Sequence, residues 1–413
     1  MPLDRTRHPC FDADARHQFG RVHLPVAPAC NVQCNFCDRK YDCLNESRPG
    51  VTSDLLSPPQ ALAYYQRIKA KIPDLAVVGI AGPGDPFANA DATMATLRLI
   101  RREDPNVLLC VATNGLNVGP YAEELAALQV SHVTITINAV DPEIGQKIYA
   151  WMRVGTRVMR GIEAARVLLA RQLEAIRTLK AAGVTVKVNT IMIPGVNDTH
   201  VAEVARTVSA LGADVLNCIP LLPVAGTPFG DLGSPPPAQV AEVRREASQY
   251  IAQMSHCTRC RADAVGKLGE AVNQEIVALL HDCATGRASD RPYVAAASLE
   301  GLLVNLHLGE ADEFLIFGSD GRHVDTRTAP RAGLGAHRWE ALADVLNDCR
   351  AVLVSGVGDT PRKVLEQAGV SVLTVEGLVS DAVDAVFQGR PLPAPRRSYR
   401  CEGACPGTGN GCG

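Results

Sequence analysis

Short runs of apolar and β-branched residues recur along the first part of the chain, separated by segments with a different periodicity. Residues 201–211 and 238–254 carry apolar residues at a spacing of three to four, which is typical of amphipathic helices. Strands that alternate with helices form parallel βα units, so the pattern predicts an α/β fold with a full or partial barrel. The six runs predicted as strands are 21–27, 75–82, 107–114, 132–138, 184–193 and 213–221.

Unusual cysteine-rich or glycine-rich segments follow the first three predicted strands. They are "CNVQCNFCDRKYDC" at 30–43, "AGPGDP" at 81–86 and "TNG" at 113–115. Reactive groups of parallel barrels lie on loops at the carboxyl ends of the strands, so these segments are expected to meet at one end of the sheet. Capping of the strand ends is the alternative explanation for the polar residues there. Those that are candidates for ribose or carboxylate contacts are Thr113, Thr136, Asn138 and Asn189.

The pattern of composition predicts two domains and a tail. Residues 1–283 form the barrel domain with extensions at both ends, and "ATGRASDRP" marks a linker at 284–292. Residues 293–389 alternate strand and helix patterns again, which predicts a small α/β domain. A linker and a tail rich in cysteine and glycine occupy 390–413.

Charge and cysteine content narrow the function. The net charge is −3 with no evident basic face, so nucleic acid is not an expected partner. The first twenty residues contain no apolar run of signal-peptide or membrane-spanning length, so a cytoplasmic protein is expected. In that reducing compartment the 14 cysteines are not expected to pair. They cluster at 30–43, 257–260 and 401–412, which indicates metal binding.

The first cluster places Cys30, Cys34 and Cys37 at the spacing C-x3-C-x2-C. A structural zinc ion needs four ligands in a closed tetrahedron, and this loop supplies only three. Three thiolates on a [4Fe-4S] cluster leave one iron open, where the amine and carboxylate of a small ligand can bind. The spacing favours such a cluster, with a zinc knuckle or free thiols as the alternative.

This spacing, with Phe36 directly before Cys37, resembles the signature of the radical S-adenosylmethionine (SAM) enzymes. The resemblance implies that the open iron binds the methionine part of SAM. It also implies that an electron from the cluster cleaves SAM to a 5′-deoxyadenosyl radical. The segment "GIAGPGDP" resembles the glycine-rich loop of this family, which contacts the methionine amine. Gly82, Gly84 and Asp85 stand where the family often has Gly-Gly-Glu.

His23 and several cysteines lie outside this signature. His23 alternates with Val22 and Leu24, so its side chain is expected on the opposite side of the strand from these apolar residues. Taken alone, it is either a metal ligand or a hydrogen-bonded core histidine. The segment "CTRC" matches half of a zinc ribbon, but no second C-x2-C pair outside the signature completes it. The remaining cysteines in question are Cys10, Cys43, Cys110, Cys257 and Cys260.

Several motifs in order extend the resemblance over nearly the whole chain. They are "HPC", "VAPACNVQCNFCDRKYDCLNESRPG", "AGPGDP", "CTRCRADAVGKLG" and "ASLEGLLVNLHLGEADEF". Together they resemble the radical SAM maturases of the nitrogenase cofactor, in the two-domain form with a C-terminal NifX-like module. The resemblance implies a partial (βα)6 TIM-type barrel followed by a small α/β NifX-like domain.

The resemblance also implies a reaction and its ligands. SAM supplies a methyl group and a radical initiator while two further [4Fe-4S] clusters and an added sulfur become an [8Fe-9S-C] cluster with a central carbide. Cys30, Cys34 and Cys37 are implied to hold the SAM cluster. One substrate cluster is implied on His23, Cys43 and Cys110, and the other on Cys10, Cys257 and Cys260. The allocation between these two sets stays open.

Other residues receive roles from the same resemblance. Glu46 in "NESRPG" is a candidate proton relay, and exposure or pairing with Arg48 is the alternative. The NifX-like module is implied to bind or pass on the product, unless it is an interaction domain only. Cys401, Cys405 and Cys412 either deliver iron and sulfur or are incidental thiols. Expected partners are a cluster donor and nitrogenase cofactor carrier or scaffold proteins, without a membrane.

Two other classes of function compete with this interpretation. One is a radical SAM enzyme whose auxiliary clusters carry electrons while it modifies a peptide or small molecule. Such clusters are usually fully ligated by protein, which leaves the Cys10 and His23 ligands without a role. The other is a non-catalytic carrier of iron–sulfur clusters, which leaves the SAM signature without one.

Overall fold

The structure is a computed structural model that describes residues 3–45, 50–254, 256–270, 273–284, 291–331 and 337–388, with 390 and 392. It consists of two compact units. The first comprises Met1–Leu55 and Tyr65–Ile276, and the second comprises Leu56–Tyr64 and Val277–Gly413. Residues 285–290 of the predicted linker lie outside the described residues.

The first unit is built on an open sheet with six parallel strands. These strands are β1 (Gly20–His23), β3 (Leu75–Ile80), β4 (Leu108–Thr113), β5 (Val130–Thr136), β8 (Thr185–Met192) and β9 (Val215–Pro220). A two-residue strand, β10 (Val265–Gly266), pairs antiparallel with β1. The order is β10-β1-β3-β4-β5-β8-β9, so the sheet ends at two separate edges. The predicted partial barrel is confirmed, and β10 is an addition that the sequence pattern did not indicate.

Eight helices accompany these strands among the described residues. They are α1 (Pro58–Lys71), α2 (Ala90–Glu103), α3 (Ala122–Ala127), α4 (Pro142–Ile148), α5 (Gly161–Ala181), α6 (Val201–Ala210), α7 (Pro237–Ala247) and α8 (Gln274–Ala284). The helix predicted at 238–254 ends early. The reason is that residues 252–254 run beside β9, where Leu216 N–H donates to Ala252 O and Met254 N–H donates to Leu216 O.

On part of the sheet, polar residues of the inner face alternate with apolar residues of the outer face. On β8, Val186 and Val188 are fully buried on one face. The residues that alternate with them, Lys187 and Asn189, line a cavity on the other face. Successive side chains of a strand point to opposite faces, so one face packs against apolar residues and the other carries chemical groups. On β5, Thr134 lines the same cavity between the fully buried Val133 and Ile135. This alternation aligns the candidate residues along the interior of the half-barrel.

A small antiparallel sheet supports the cysteine loop. It comprises β2 (Val32–Cys34), β6 (Tyr149–Val154) and β7 (Arg157–Met159), in that order. Cys34 pairs with Tyr149 in this sheet. Phe36, which is 1% exposed, anchors the loop in the neighbouring apolar core. The sequence pattern did not predict this sheet, since β2 is short and contains polar residues.

The second unit has a mixed five-stranded sheet with an apolar core on each face. Its strands are β11 (Tyr293–Ala296), β12 (Glu313–Phe317), β13 (His323–Thr328), β14 (Cys349–Val354) and β15 (Ser371–Thr374), in the order β13-β12-β11-β14-β15. Its remaining helices are α9 (His337–Val345), α10 (Asp359–Gln367) and α11 (Val379–Gln388). Alternate residues of β14 join different cores, Val352 with Trp339 of α9 and Leu353 with Val383 of α11. Helices therefore cover both faces, as expected for a small α/β domain.

None of the helices among the described residues combines the length and the apolar character that crossing a membrane requires.

Candidate functional site

Two cavities lie along the inner face of the half-barrel. The cysteine-loop cavity is lined by the four cysteines of the first cluster, Cys30, Cys34, Cys37 and Cys43, with residues from the loops after β3 and β4. The barrel cavity is lined by His23 and four further cysteines, Cys10, Cys110, Cys257 and Cys260. Ala112 of β4 lines both cavities, so they adjoin.

Backbone hydrogen bonds fold the cysteine loop around its cavity. Cys37 N–H donates to Cys34 O at 3.1 Å, and Gln33 Nε2 donates to the carbonyl oxygens of Cys34 (3.2 Å) and Cys37 (2.7 Å). Arg39 holds Gln33 in place by donating from Nε to its Oε1 at 2.8 Å. The loop is thus held by its own backbone and side chains, and the Cys30 thiol also donates to Val32 O at 3.3 Å.

The glycine-rich loop after β3 contacts the segment that leads into Cys30. Gly84 N–H donates to Ala27 O at 2.6 Å, and Asp85 N–H donates to Ala29 O at 2.8 Å. A Cβ on Gly84 would lie 2.2 Å from Ala29 O, so only glycine allows this approach. Gly82 has a φ of +143°, which also favours glycine. Gly84 lines the cysteine-loop cavity, and Gly82 lines neither of the two cavities.

The Asp85 carboxylate joins two loops and has protein partners on both oxygens. It accepts from Thr113 Oγ1 at 2.9 Å, from Asn114 N–H at 2.7 Å and from Phe87 N–H at 2.9 Å. Burial raises the pKa of Asp85 above its usual value, and these hydrogen bonds oppose that shift. Asp85 and Thr113 both line the cysteine-loop cavity, but their side chains are engaged with one another.

The other predicted contact residues separate between the two cavities. Thr136 lines the cysteine-loop cavity, and Asn189 lines the barrel cavity. Asn189 Nδ2 donates to Asn45 O at 2.8 Å, which ties β8 to the cysteine loop. Asn138 is fully buried, lines neither cavity, and accepts from Ile191 N–H at 2.8 Å. Asn138 therefore fits the alternative explanation, in which the polar residue caps the end of a strand, rather than a contact with a ligand.

The structure groups the remaining candidates differently from the sequence-based allocation. Cys43 lies in the cysteine-loop cavity because its N–H donates to Pro83 O at 2.9 Å. His23 and Cys110 instead line the barrel cavity.

Burial raises the pKa of the Cys30 thiol to about 12 and the pKa of Cys34 well above its usual value. Thiolates at these positions therefore need a compensating positive charge, such as bound iron.

His23 sits where a glycine leaves room for its ring. Nδ1 lies 3.0 Å from Arg261 O, which assigns the proton to Nδ1 and leaves the lone pair on Nε2. Burial lowers the pKa of His23 to about 4, so the ring is neutral and able to act as a ligand. His23 pairs across the sheet with Gly79, where an added Cβ would lie 2.9 Å from His23 Cδ2.

The structure adds polar residues that sequence reasoning missed. Arg21 Nη2 donates to Cys260 Sγ at 2.9 Å, and Asn45 Nδ2 lies 3.6 Å from Cys43 Sγ. Lys187 and His8 line the barrel cavity. Strand alternation could have identified Arg21 from the sequence, because it lies two residues before His23 and therefore on the same face of the strand.

Four candidates lie outside the described residues: Glu46, Cys401, Cys405 and Cys412. Within the described part of the chain, no three His, Cys, Asp or Glu side chains converge closely enough to hold a single metal ion. The thiols of the described candidates line the two cavities instead.

Known proteins match the chain over both units. Residues 24–208 match the Radical SAM superfamily, and residues 291–389 match the family described as Dinitrogenase iron-molybdenum cofactor. The FeMo cofactor biosynthesis protein NifB of Chlorobaculum tepidum is 53% identical over 423 residues, with 100% of both chains covered. The protein of that name from Klebsiella pneumoniae is 42% identical, covering 93% of this chain and 90% of its own. That from Frankia alni is 38% identical, covering 91% and 86%.

We predict that Gly79→Ala lowers the free energy of unfolding by about 1–3 kcal/mol, because the new methyl group meets the His23 ring in a packed interior. Urea unfolding of the metal-free protein measures the change. The cost should shrink in a His23→Ala background, since the clash is then absent. Gly119→Ala is the control, because its added Cβ meets nothing within 4 Å. An equal cost in both backgrounds would contradict the packing interpretation.

Proposed function

The chain belongs to the NifB family of radical SAM enzymes in FeMo cofactor biosynthesis, and from that premise we propose the reaction that it catalyses. Two [4Fe-4S] clusters, a SAM-derived carbide and an added sulfur become the [8Fe-9S-C] precursor of the nitrogenase cofactor. The reaction combines methyl transfer with radical cleavage of SAM. The observation that carries the proposal is that two adjoining cavities, both lined by cysteines, share the interior of one half-barrel.

The SAM cluster is assigned to Cys30, Cys34 and Cys37. This donor set fits the cluster, because three thiols line one cavity beside the glycine-rich loop. When bound, the cluster and SAM supply a 5′-deoxyadenosyl radical. Gly84 contributes by letting the loop after β3 approach the cysteine loop, and Asn114 Nδ2 lies 3.8 Å from Cys30 Sγ. A hydrogen bond to a ligating sulfur tunes the potential of a cluster.

The two substrate clusters are assigned to the remaining ligands. His23, Cys43 and Cys110 hold one, and Cys10, Cys257 and Cys260 hold the other. Three protein ligands leave part of each cluster free to join its neighbour, and these bonds are released when the product leaves. Cys43 lines the cysteine-loop cavity rather than the barrel cavity, so as a ligand it would act from the neighbouring cavity, which adjoins at Ala112.

Other parts of the chain serve proton removal and delivery. Glu46 relays protons as the methyl carbon loses hydrogen. Residues 1–283 form the catalytic domain, 284–292 a linker, 293–389 a NifX-like domain and 390–413 a linker and tail. The NifX-like domain passes the product to a nitrogenase cofactor carrier or scaffold protein, and a separate donor supplies the substrate clusters.

The first test is Cys34→Ala, assayed anaerobically with SAM and dithionite. The parent enzyme should form S-adenosylhomocysteine and 5′-deoxyadenosine together, since methyl transfer and radical formation both occur. The variant should lose SAM cleavage and roughly four irons, because two thiolates do not hold an open cluster. Cys218→Ala is a matched control, since Cys218 is fully buried but lines neither cavity. Parent rates of 5′-deoxyadenosine formation in Cys34→Ala would refute the radical SAM assignment.

The double variant Cys257→Ala with Cys260→Ala tests the second substrate cluster. It should lose about four irons yet still cleave SAM to 5′-deoxyadenosine, because the SAM ligands are all local to one loop. It should form no carbide-centred product, which is detected by extraction of the cluster. Unchanged iron with normal product, or zinc bound at this pair in the parent, would contradict the assignment.

Deletion of residues 293–413 tests the division of labour between the domains. Every proposed ligand lies before residue 261, so cluster binding, SAM cleavage and product formation should persist in vitro. Transfer of the product to a carrier should slow. A truncated protein that binds its clusters and cleaves SAM, but forms no product, would assign the C-terminal region a part in the chemistry.

A further inference from the structure

The barrel cavity is lined by buried, positively charged side chains as well as by its proposed iron ligands. Arg21 and Lys187 line it and are only 4% and 6% exposed, and Arg259 lines it as well. The described residues that line this cavity include no aspartate or glutamate. Lys187 Nζ also lies 5.3 Å from the centroid of the Phe11 ring, a cation–π contact that supplies no formal negative charge. The lining is therefore suited to an anionic occupant.

The contacts of Arg21 point the same way. Its Nη1 donates to the carbonyl oxygens of Gly266 and Lys267, which are neutral partners. Its Nη2 lies 2.9 Å from Cys260 Sγ, so a ligating thiolate there would compensate the guanidinium charge. Its Nε is buried and has no hydrogen-bond partner among the described residues. One donor is thus available for an acceptor that the protein does not supply.

His8 presents a second donor to the same cavity. Its Nδ1 accepts from Cys10 N–H at 3.2 Å, so the neutral ring carries its proton on Nε2. His8 is 1% exposed, and its Nε2 is buried without a hydrogen-bond partner in the described part of the chain. Leaving a buried donor unsatisfied is unfavourable. Sulfide atoms of a bound cluster are acceptors that would satisfy it.

We infer that Arg21, Lys187 and His8 form a cradle that recognises the substrate cluster beside Cys260 through its sulfur atoms and its negative charge. The inference rests on the proposed function. Three thiolates outweigh the charge of an oxidised [4Fe-4S] core, so the ligated cluster is an anion. The cradle retains it while iron–thiolate bonds exchange during fusion. These are positioning residues, and they act on the sulfur side of the cluster while the cysteines hold the iron.

A cradle of this kind affects the reduction potential of the cluster. Positive charge and hydrogen bonds to sulfur stabilise the reduced, more negative form, and so raise the potential. A purely structural arginine or lysine would affect folding without this directed shift. The potential therefore separates the two roles.

The experiment compares the full-length parent with Arg21→Gln, Lys187→Met and the charge-preserving Arg21→Lys. Each protein is loaded with iron and sulfide anaerobically, analysed for iron, and titrated with dithionite under EPR and Mössbauer observation. The SAM cluster is recognised by the change in its EPR signal on adding SAM. Arg206→Gln is the control, because it removes a positive charge that lies exposed beside Glu203.

Arg21→Gln and Lys187→Met should each lower the midpoint potential of a cluster that does not respond to SAM. Arg206→Gln should keep the parent potential, and Arg21→Lys, which keeps the charge but loses the Nε donor, should shift the potential less than Arg21→Gln does. Loss of about four irons from Arg21→Gln, restored in Arg21→Lys, would equally support the cradle. If Arg21→Gln and Lys187→Met both bind their clusters at full occupancy and with the parent potentials, the inference is wrong. The proposed function would not be affected by that result. A parent protein that binds only the SAM cluster would overturn the proposed function and the inference together.

Discussion

Polar side chains on the inner face of a parallel sheet are the constraint on which the first unit depends. Thr134, Asn189, Asn217 and Lys187 are all buried there, each at most 6% exposed. Buried polar groups must find partners, and buried charges must be compensated. Some partners come from the protein, as when Asn217 Nδ2 donates to Asn189 Oδ1 at 3.3 Å. Asn189 and Asn217 also line the barrel cavity, so the stability of the sheet and ligand binding draw on some of the same residues.

The same constraint explains how the loops are assembled. The cysteine loop packs Phe36 into an apolar core and is also fastened by hydrogen bonds to the glycine-rich loop and to β8. Ala27 and Ala29 accept from the glycine-rich loop, Pro83 accepts from Cys43, and Asn45 accepts from Asn189 of β8. These bonds use backbone groups and amides rather than thiols. Asp85 then joins the loops after β3 and β4, so three segments form one wall.

The second unit shows the opposite design. Its sheet has apolar cores on both faces, and alternate residues of β11 and β14 divide between them. No polar row like that of the first unit lies along these strands, where the described residues Val294, Ala295, Ala351 and Val352 are fully buried. This is a self-sufficient α/β core. Chemistry in this unit is therefore expected on its loops and surface, in keeping with a role in delivery.

The sequence alone determined the six parallel strands, the cysteine signature and the family, because each depends on local periodicity or on residues close in the chain. It also contained the inner-face alternation that places Arg21 with His23 and Lys187 with Asn189. Only the tertiary structure decided which thiols share a cavity. Cys43 joins the cysteine-loop cavity, while Cys10 and Cys260, 250 positions apart in the chain, meet in the barrel cavity. Spacing does not encode such contacts, since they arise from strand register, a glycine opposite His23, and backbone bonds between distant loops.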